Sequence, residues 1–299
     1  RPRLGDVRAF DYSILQQDAP VTEQQLAQLY QQILQLEPAA QTRQKIQYRL
    51  SQMQTAALDK AEYSAEEERE QLQQLIAQYQ QLLSQYPTDP NNELIRYQLA
   101  RSYDLLGLQQ QCLEQLELFL QQYPESGFAP EVWFRKADIH YSRSHYADAL
   151  DAYLQVLDSK VTELVQHARY MSGWSYFKLQ QFEQADEQFL RVLDQGYSGY
   201  LADAGLQQSL QQEVLRTLSV SLSYQQQGDS LQALLRRVPY YQTERPLELV
   251  ETLYRALAQF LAEKQLLSAS LDTYRLFISD YPATLVAARP PPYSQPAFL

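Results

Sequence analysis

Few residues of this chain have types and spacings that could carry chemistry. His140 and His145 are possible metal ligands, but they stand five apart, missing the i, i+4 spacing that sets two ligands on one helix face. No metal site is expected there. With three His and one Cys, a disulfide framework is impossible and a Cys/His metal centre is hard to assemble. Glu66-Glu67-Glu68 with Glu70 supplies carboxylates. Paired-carboxylate catalysis needs a cleft that a local acidic run does not provide. The run reads instead as the start of a helix, where the dipole favours negative charge. No Gly-rich phosphate loop or Ser nucleophile elbow is present. The expectation is a non-catalytic chain with no cofactor.

The elements around these residues are helical. Leu99-Ala100, Tyr103, Gly107, Cys112-Leu113, Leu116, Phe119-Leu120 and Pro124 form one periodic unit. Trp133, Ala137, Tyr141, Tyr146, Ala149-Leu150, Tyr153 and Val156-Leu157 form a second. Gly173, Tyr176-Phe177, Phe182, Ala185, Phe189 and Val192-Leu193 form a third. Cys112, Ala149 and Ala185 fall in one column at offsets of 37 and 36 residues. Each unit reads as two amphipathic helices, with small residues at the close approach and large ones filling the gaps. Cys112 is then a buried stand-in for Ala, not a reactive thiol. Weaker copies flank the three, at Val220 to Pro239, Tyr254 to Pro282 and Thr42 to Pro87. Leu26, Tyr30, Ile33 and Pro38 mark one further helix. The count is about five helix pairs plus one leading helix.

Composition agrees. The 299 residues carry a formal net charge of −11 and only 8 Gly, with a pI near 4.8. An acidic chain without a basic stripe is not expected to bind nucleic acid. Gln is abundant on the helical segments, where its good helix propensity replaces the usual Lys/Glu surface. No run of eighteen apolar residues occurs, so no transmembrane segment is expected in this chain. Residues 1–20 read as an extended N-terminal arm, 21–288 as the repeat region and 289–299 as a Pro-rich tail. The start at Arg1 rather than Met is expected to reflect either a processed chain or an expressed fragment, with a targeting segment cut away. The last repeat lacks a polar capping helix, so the natural chain is expected to continue beyond Leu299.

The spacing and residue choice resemble tetratricopeptide repeats, whose length is close to 34 residues. Trp133, Ala137, the steps Ala149 to Tyr153 and Ala185 to Phe189, and the terminal Pro124 and Pro282 carry the resemblance. It implies an all-α, right-handed superhelical solenoid of helix pairs. Tyr86-Pro87, Tyr123-Pro124 and Tyr281-Pro282 place Tyr-Pro at repeat boundaries. This is similar to the subtype of bacterial envelope proteins that includes the outer-membrane-assembly lipoprotein and the periplasmic cell-division coordinator. That subtype implies a periplasmic or outer-membrane-associated location, with the cytoplasm as the alternative. Cysteine usage does not separate them, since a single thiol suits either compartment.

The resemblance also implies a function: a protein-interaction scaffold whose concave groove is lined by the first helix of each pair. Its groove positions fall on Tyr97, Arg101, Asp104 and Leu105, then Phe134, Asp138, Tyr141 and Ser142, then Tyr170, Trp174, Phe177 and Lys178. The set taken to bind a partner is Tyr97, Arg101, Phe134, Asp138, Tyr141, Tyr170, Trp174, Phe177 and Lys178. This aromatic lining suits an extended peptide or a helix. The competing reading packs these aromatics between neighbouring repeats. No repeated Lys/Asn pair occupies the groove positions, which disfavours capture of a terminal carboxylate. Arg101, Arg135 and Lys178 are expected on the solvated surface more than around an acidic ligand. A second functional class is a structural spacer or assembly module that uses its ends or convex face. The sequence does not assign an oligomeric state.

Overall fold

The computed structural model describes residues 22–60, 63–195 and 204–282, with the side chains of 162–163, 204–208 and 210 left aside. The described residues are helical, with no strand among them. Helix α1 (Glu23–Gln35) leads, followed by the pairs α2 (Ala40–Lys60) with α3 (Ala65–Gln85) and α4 (Asn92–Leu105) with α5 (Gln109–Gln122). Next come α6 (Ala129–Ser142) with α7 (Tyr146–Leu157) and α8 (Thr162–Lys178) with α9 (Phe182–Asp194). The last two are α10 (Ala204–Ser223) with α11 (Gly228–Arg237) and α12 (Leu247–Glu263) with α13 (Leu267–Asp280). Among the described residues six pairs therefore stand where about five are expected, with the degenerate segment around Val220 to Pro239 within the pair α10 and α11. The N-terminal arm and the Pro-rich tail expected from the sequence lie outside the described residues. The chain divides into two compact units, Arg1–Ser126 and Gly127–Leu299.

In four of the six pairs the turn between helices is built the same way. Gly107, Ser144, Gln180 and Gln265 all take positive φ, from 61° to 72°. The following N–H reaches back five residues to a helical carbonyl: Leu108 to Tyr103, His145 to His140, Gln181 to Tyr176 and Leu266 to Leu261, each at 2.9 Å. This left-handed stop satisfies carbonyls that the helix end would otherwise leave unpaired. Only Gly107 has the residue type that adopts it without a steric cost. Ser144, Gln180 and Gln265 hold it against their own Cβ.

The Tyr-Pro steps end second helices in a second recurring geometry. Tyr86, Tyr123 and Tyr281 adopt φ between −127° and −132° and ψ between 55° and 65°. Each donates its N–H one turn back, to Leu82, Phe119 and Phe277. The following proline disfavours the α conformation at the preceding residue and cannot supply an N–H, so the helix stops there. Tyr123 packs on Phe119 at 5.3 Å and Tyr281 on Phe277 at 5.4 Å between ring centroids. The tyrosine thus covers the junction that the proline creates.

The column of small residues is buried throughout: Cys112, Ala149 and Ala185 are fully enclosed. At Gly173 in α8, an added Cβ would stand 2.6 Å from the Phe189 ring of α9. That absence of a side chain lets the two helices close on one another. The acidic run Glu66–Glu68 begins α3, where Ser64 and Glu67 exchange reciprocal cap hydrogen bonds. The Ser64 hydroxyl and backbone N–H bound to the Glu67 carboxylate hold its pKa below the ordinary range.

Candidate functional site

Of the nine positions implied by the resemblance, Tyr97 and Arg101 belong to the first unit and the other seven to the second. In the first unit, Tyr97 is buried and packs edge-on against Phe119 at 6.5 Å. Arg101 forms a two-armed pair with Asp59 of α2, at 2.8 and 3.2 Å. Both side chains tie helices together within that unit.

In the second unit, consecutive first helices α6 and α8 enclose a cleft of about 400 Å³. Pro130, Phe134, Leu164 and His167 give it an apolar and aromatic lining, while Glu131, Arg135 and Asp138 supply charge. Phe134 stands edge-on to both Tyr153 of α7 at 5.6 Å and His167 at 4.9 Å. It is held from behind by the core around Ala137, Ala149, Tyr153 and Ala168. Asp138 is exposed at the cleft and accepts a hydrogen bond from the Tyr153 hydroxyl. Burial, and then the Asp138 carboxylate, push the Tyr153 phenol far up, so it remains a donor that fixes the carboxylate. Burial pulls the His167 pKa below its ordinary value against the opposing pull of Asp138. Its imidazole is therefore neutral at physiological pH, with both a donor and an acceptor nitrogen. Arg135 pairs with Glu131 one turn away at 3.0 Å. Such a cleft can receive an apolar or aromatic side chain while Asp138 and Arg135 orient polar groups beside it.

The remaining aromatic positions form a ladder along α8. Tyr170 meets Trp174 at 6.4 Å, and Trp174 meets Phe177 at 5.7 Å. Tyr170 and Trp174 also rest on buried Phe189, and the Tyr170 hydroxyl donates to Glu213 of α10 at 2.8 Å. Phe177 continues to Phe182 and to the exposed Tyr224, which stack within 8° of parallel at 5.5 Å. Tyr141 packs on Tyr146 at 5.2 Å, and burial followed by that neighbour raises its phenol pKa. Lys178 is exposed in the last turn of α8. The structure thus brings Phe134 and Asp138 to the cleft and sets Tyr170, Trp174 and Phe177 in a ladder between repeats.

Sequence reasoning missed Leu164 and His167. The four groove positions per unit presuppose first helices of equal length, but α8 has 17 residues against 14 in α6. The extra N-terminal residues carry Leu164 over the cleft, and His167 lines it one turn further on. His167 stands three and seven residues before Tyr170 and Trp174, with Leu164 three before His167, and that one-face spacing was the available signal. His140 and His145 also meet, with ring centroids 6.1 Å apart. The spacing argument against them holds for a single helix, and α6 ends at Ser142.

Residues 95–126 and 167–197 match the tetratricopeptide repeat family. They correspond to the first and third of the three clearest units in the sequence. The crystal structure of MamA is 13% identical over 76% of this chain and 99% of that chain, with a TM-score of 0.39. The apo form of RapI is 15% identical over 88% of this chain and 82% of that chain, with a TM-score of 0.49. BtubC (BKLC) from P. vanneervenii is 13% identical over 80% and 98%, with a TM-score of 0.40. No curated protein sequence matches this chain.

Proposed function

We propose that this chain is a non-catalytic interaction scaffold that takes a partner peptide or helix into the cleft between α6 and α8. The observation that carries the reading is the cleft itself. It lies between consecutive first helices, where tetratricopeptide repeats present their concave groove, and it contains Phe134 and Asp138. A rigid aromatic wall beside an oriented carboxylate anchors one side chain of a longer segment, the usual basis of affinity at such surfaces. We further propose an envelope location, supported by the three Tyr-Pro junctions.

A photo-crosslinking residue at Leu164, in the cleft, is compared with one at Gln155, on the exposed side of α7. The cleft reading expects partner adducts at position 164 only, and their loss on Phe134→Ala with helical circular dichroism unchanged. Equal adducts at both positions, or adducts indifferent to Phe134, defeat it. The double variant Trp174→Ala with Phe134→Ala separates the ladder from the cleft: no further loss beyond Phe134→Ala means that the ladder is packing. Fractionation of cells expressing the full-length natural protein tests the location, and recovery in the cytoplasmic fraction alone refutes it.

One observation favours the second reading, an assembly module acting through its end. On α13, Leu267, Leu271, Tyr274 and Ile278 follow the i, i+4, i+7, i+11 pattern of a single face, and all four are exposed. Leu267 and Leu271 are exposed by 63% and 56%. A second copy of the chain seated there would bury that stripe. Sedimentation should then show a dimer that Leu271→Lys dissociates, whereas a monomer at all concentrations removes this reading.

A further inference from the structure

Three side chains at the turn between α6 and α7 stand close enough to share an ion: His140, His145 and Asp148 offer ligand atoms that all lie within 4.8 Å of one another. We propose that this turn is a binding site for a first-row divalent transition ion of the zinc type. The donor set of two imidazoles and one carboxylate is the one such ions take, with open positions left for water or a partner's side chain.

The backbone places the ligands. Helix α6 stops after Ser142, and Ser144 takes φ of 61°. Arg143, Ser144 and His145 donate their N–H groups to the carbonyls of Ile139, Tyr141 and His140. This clamp folds the chain back within five residues, so two histidines that would diverge on one helix face one another across the turn. Asp148, the third residue of α7, then lies with Oδ2 at 4.0 Å from His140 Nδ1. An ion with ligands at about 2.0–2.2 Å holds neighbouring ligand atoms roughly 3–3.5 Å apart. The closure needed is at most about 2 Å, within the torsional freedom of His145 and Asp148, whose side chains are exposed. The partly buried His140 is the anchor and the other two swing toward it. The net charge of −11 raises the local concentration of divalent cations. The site stands apart from the α6/α8 cleft lining and does not depend on the scaffold reading.

Few other residues confuse the test. His167 is the third His of the chain, and Cys112 is buried. Zinc chloride alone is titrated calorimetrically into the full chain, with excess calcium present to occupy scattered carboxylates. The expected result is one saturable site per chain, weakened at least about tenfold by His145→Ala and by Asp148→Ala and unchanged by His167→Gln. Both weakening substitutions are at exposed side chains, and circular dichroism verifies that the helices persist. Trace copper(II) should broaden the ring protons of His140 and His145 before those of His167. Binding that survives His145→Ala with Asp148→Ala combined, or that calcium abolishes, overturns the site. Uniform broadening of all three histidines overturns it as well.

Discussion

The two halves of the second unit solve one packing problem by different means. From α6 to α9 the helices are held by the repeat's own pattern of enclosed Ala137, Ala149 and Ala185 with the large rings of Tyr153 and Phe189. From α10 to α13 larger buried side chains, among them Leu218, Leu222, Leu234, Leu253 and Leu257, form the core instead. Helix α11 has only 10 residues, and its first residue, Gly228, approaches α13 so closely that a Cβ would lie 2.9 Å from Leu276 and 3.2 Å from the Thr273 backbone. Specific polar contacts hold this part in place. Arg245, in the loop after α11, grips Asp194 at the end of α9 through two hydrogen bonds of 2.6 and 2.7 Å, with both side chains buried. Gln225 donates to the buried Asp186 at 2.6 Å. Beside that apolar core sit a few buried charges, and removing one partner is costly because the other stays desolvated.

The most direct way to break this comparison is Arg245→Ala. It leaves Asp194 buried without its cation and is expected to destabilise the unit by about 3–5 kcal/mol, measured by chemical denaturation. A loss below about 1 kcal/mol would show that the degenerate half does not lean on the pair.

Asp186 sharpens the same point through pH. Burial raises its pKa to about 6, against the lowering influence of Ser221, Gln225 and Arg237. Because the folded chain holds this proton more tightly than the unfolded one, the group favours folding below about pH 4. That advantage is lost as pH rises to about 6. Asp186→Asn should therefore raise stability by about 2–3 kcal/mol above pH 6, with the gain vanishing near pH 4. Thermal melts across that range check it, and a pH-independent effect would contradict the cause.

The regular half is probed by Gly173→Ala, which drives a Cβ into the Phe189 ring and should cost about 1–3 kcal/mol. The smallest effect is expected at the turns. Gln180→Gly relieves a side chain held at φ of 61° and should stabilise by about 1 kcal/mol, read as a raised Tm.

The sequence carried the local elements well. Pro87, Pro124 and Pro282 announced where second helices stop, and the column Cys112, Ala149 and Ala185 announced where helices approach. Each rests on interactions within one or two turns of backbone, which residue type controls directly. Groove positions were less legible. Phe134 and Asp138 reached the cleft, but Tyr97 is enclosed by its own unit, because a fixed offset within a repeat does not say how deeply a ring sinks between helices.

Helix period, turn stops and junctions followed from the order of residues alone, since rotation per residue and the conformational limits of proline are local properties. The meeting of His140 with His145, the pairing of Arg245 with Asp194 and the reach of His167 toward Phe134 were decided only in three dimensions. The first depends on the left-handed stop at Ser144, and the other two on the helix lengths and turn angles between the partners.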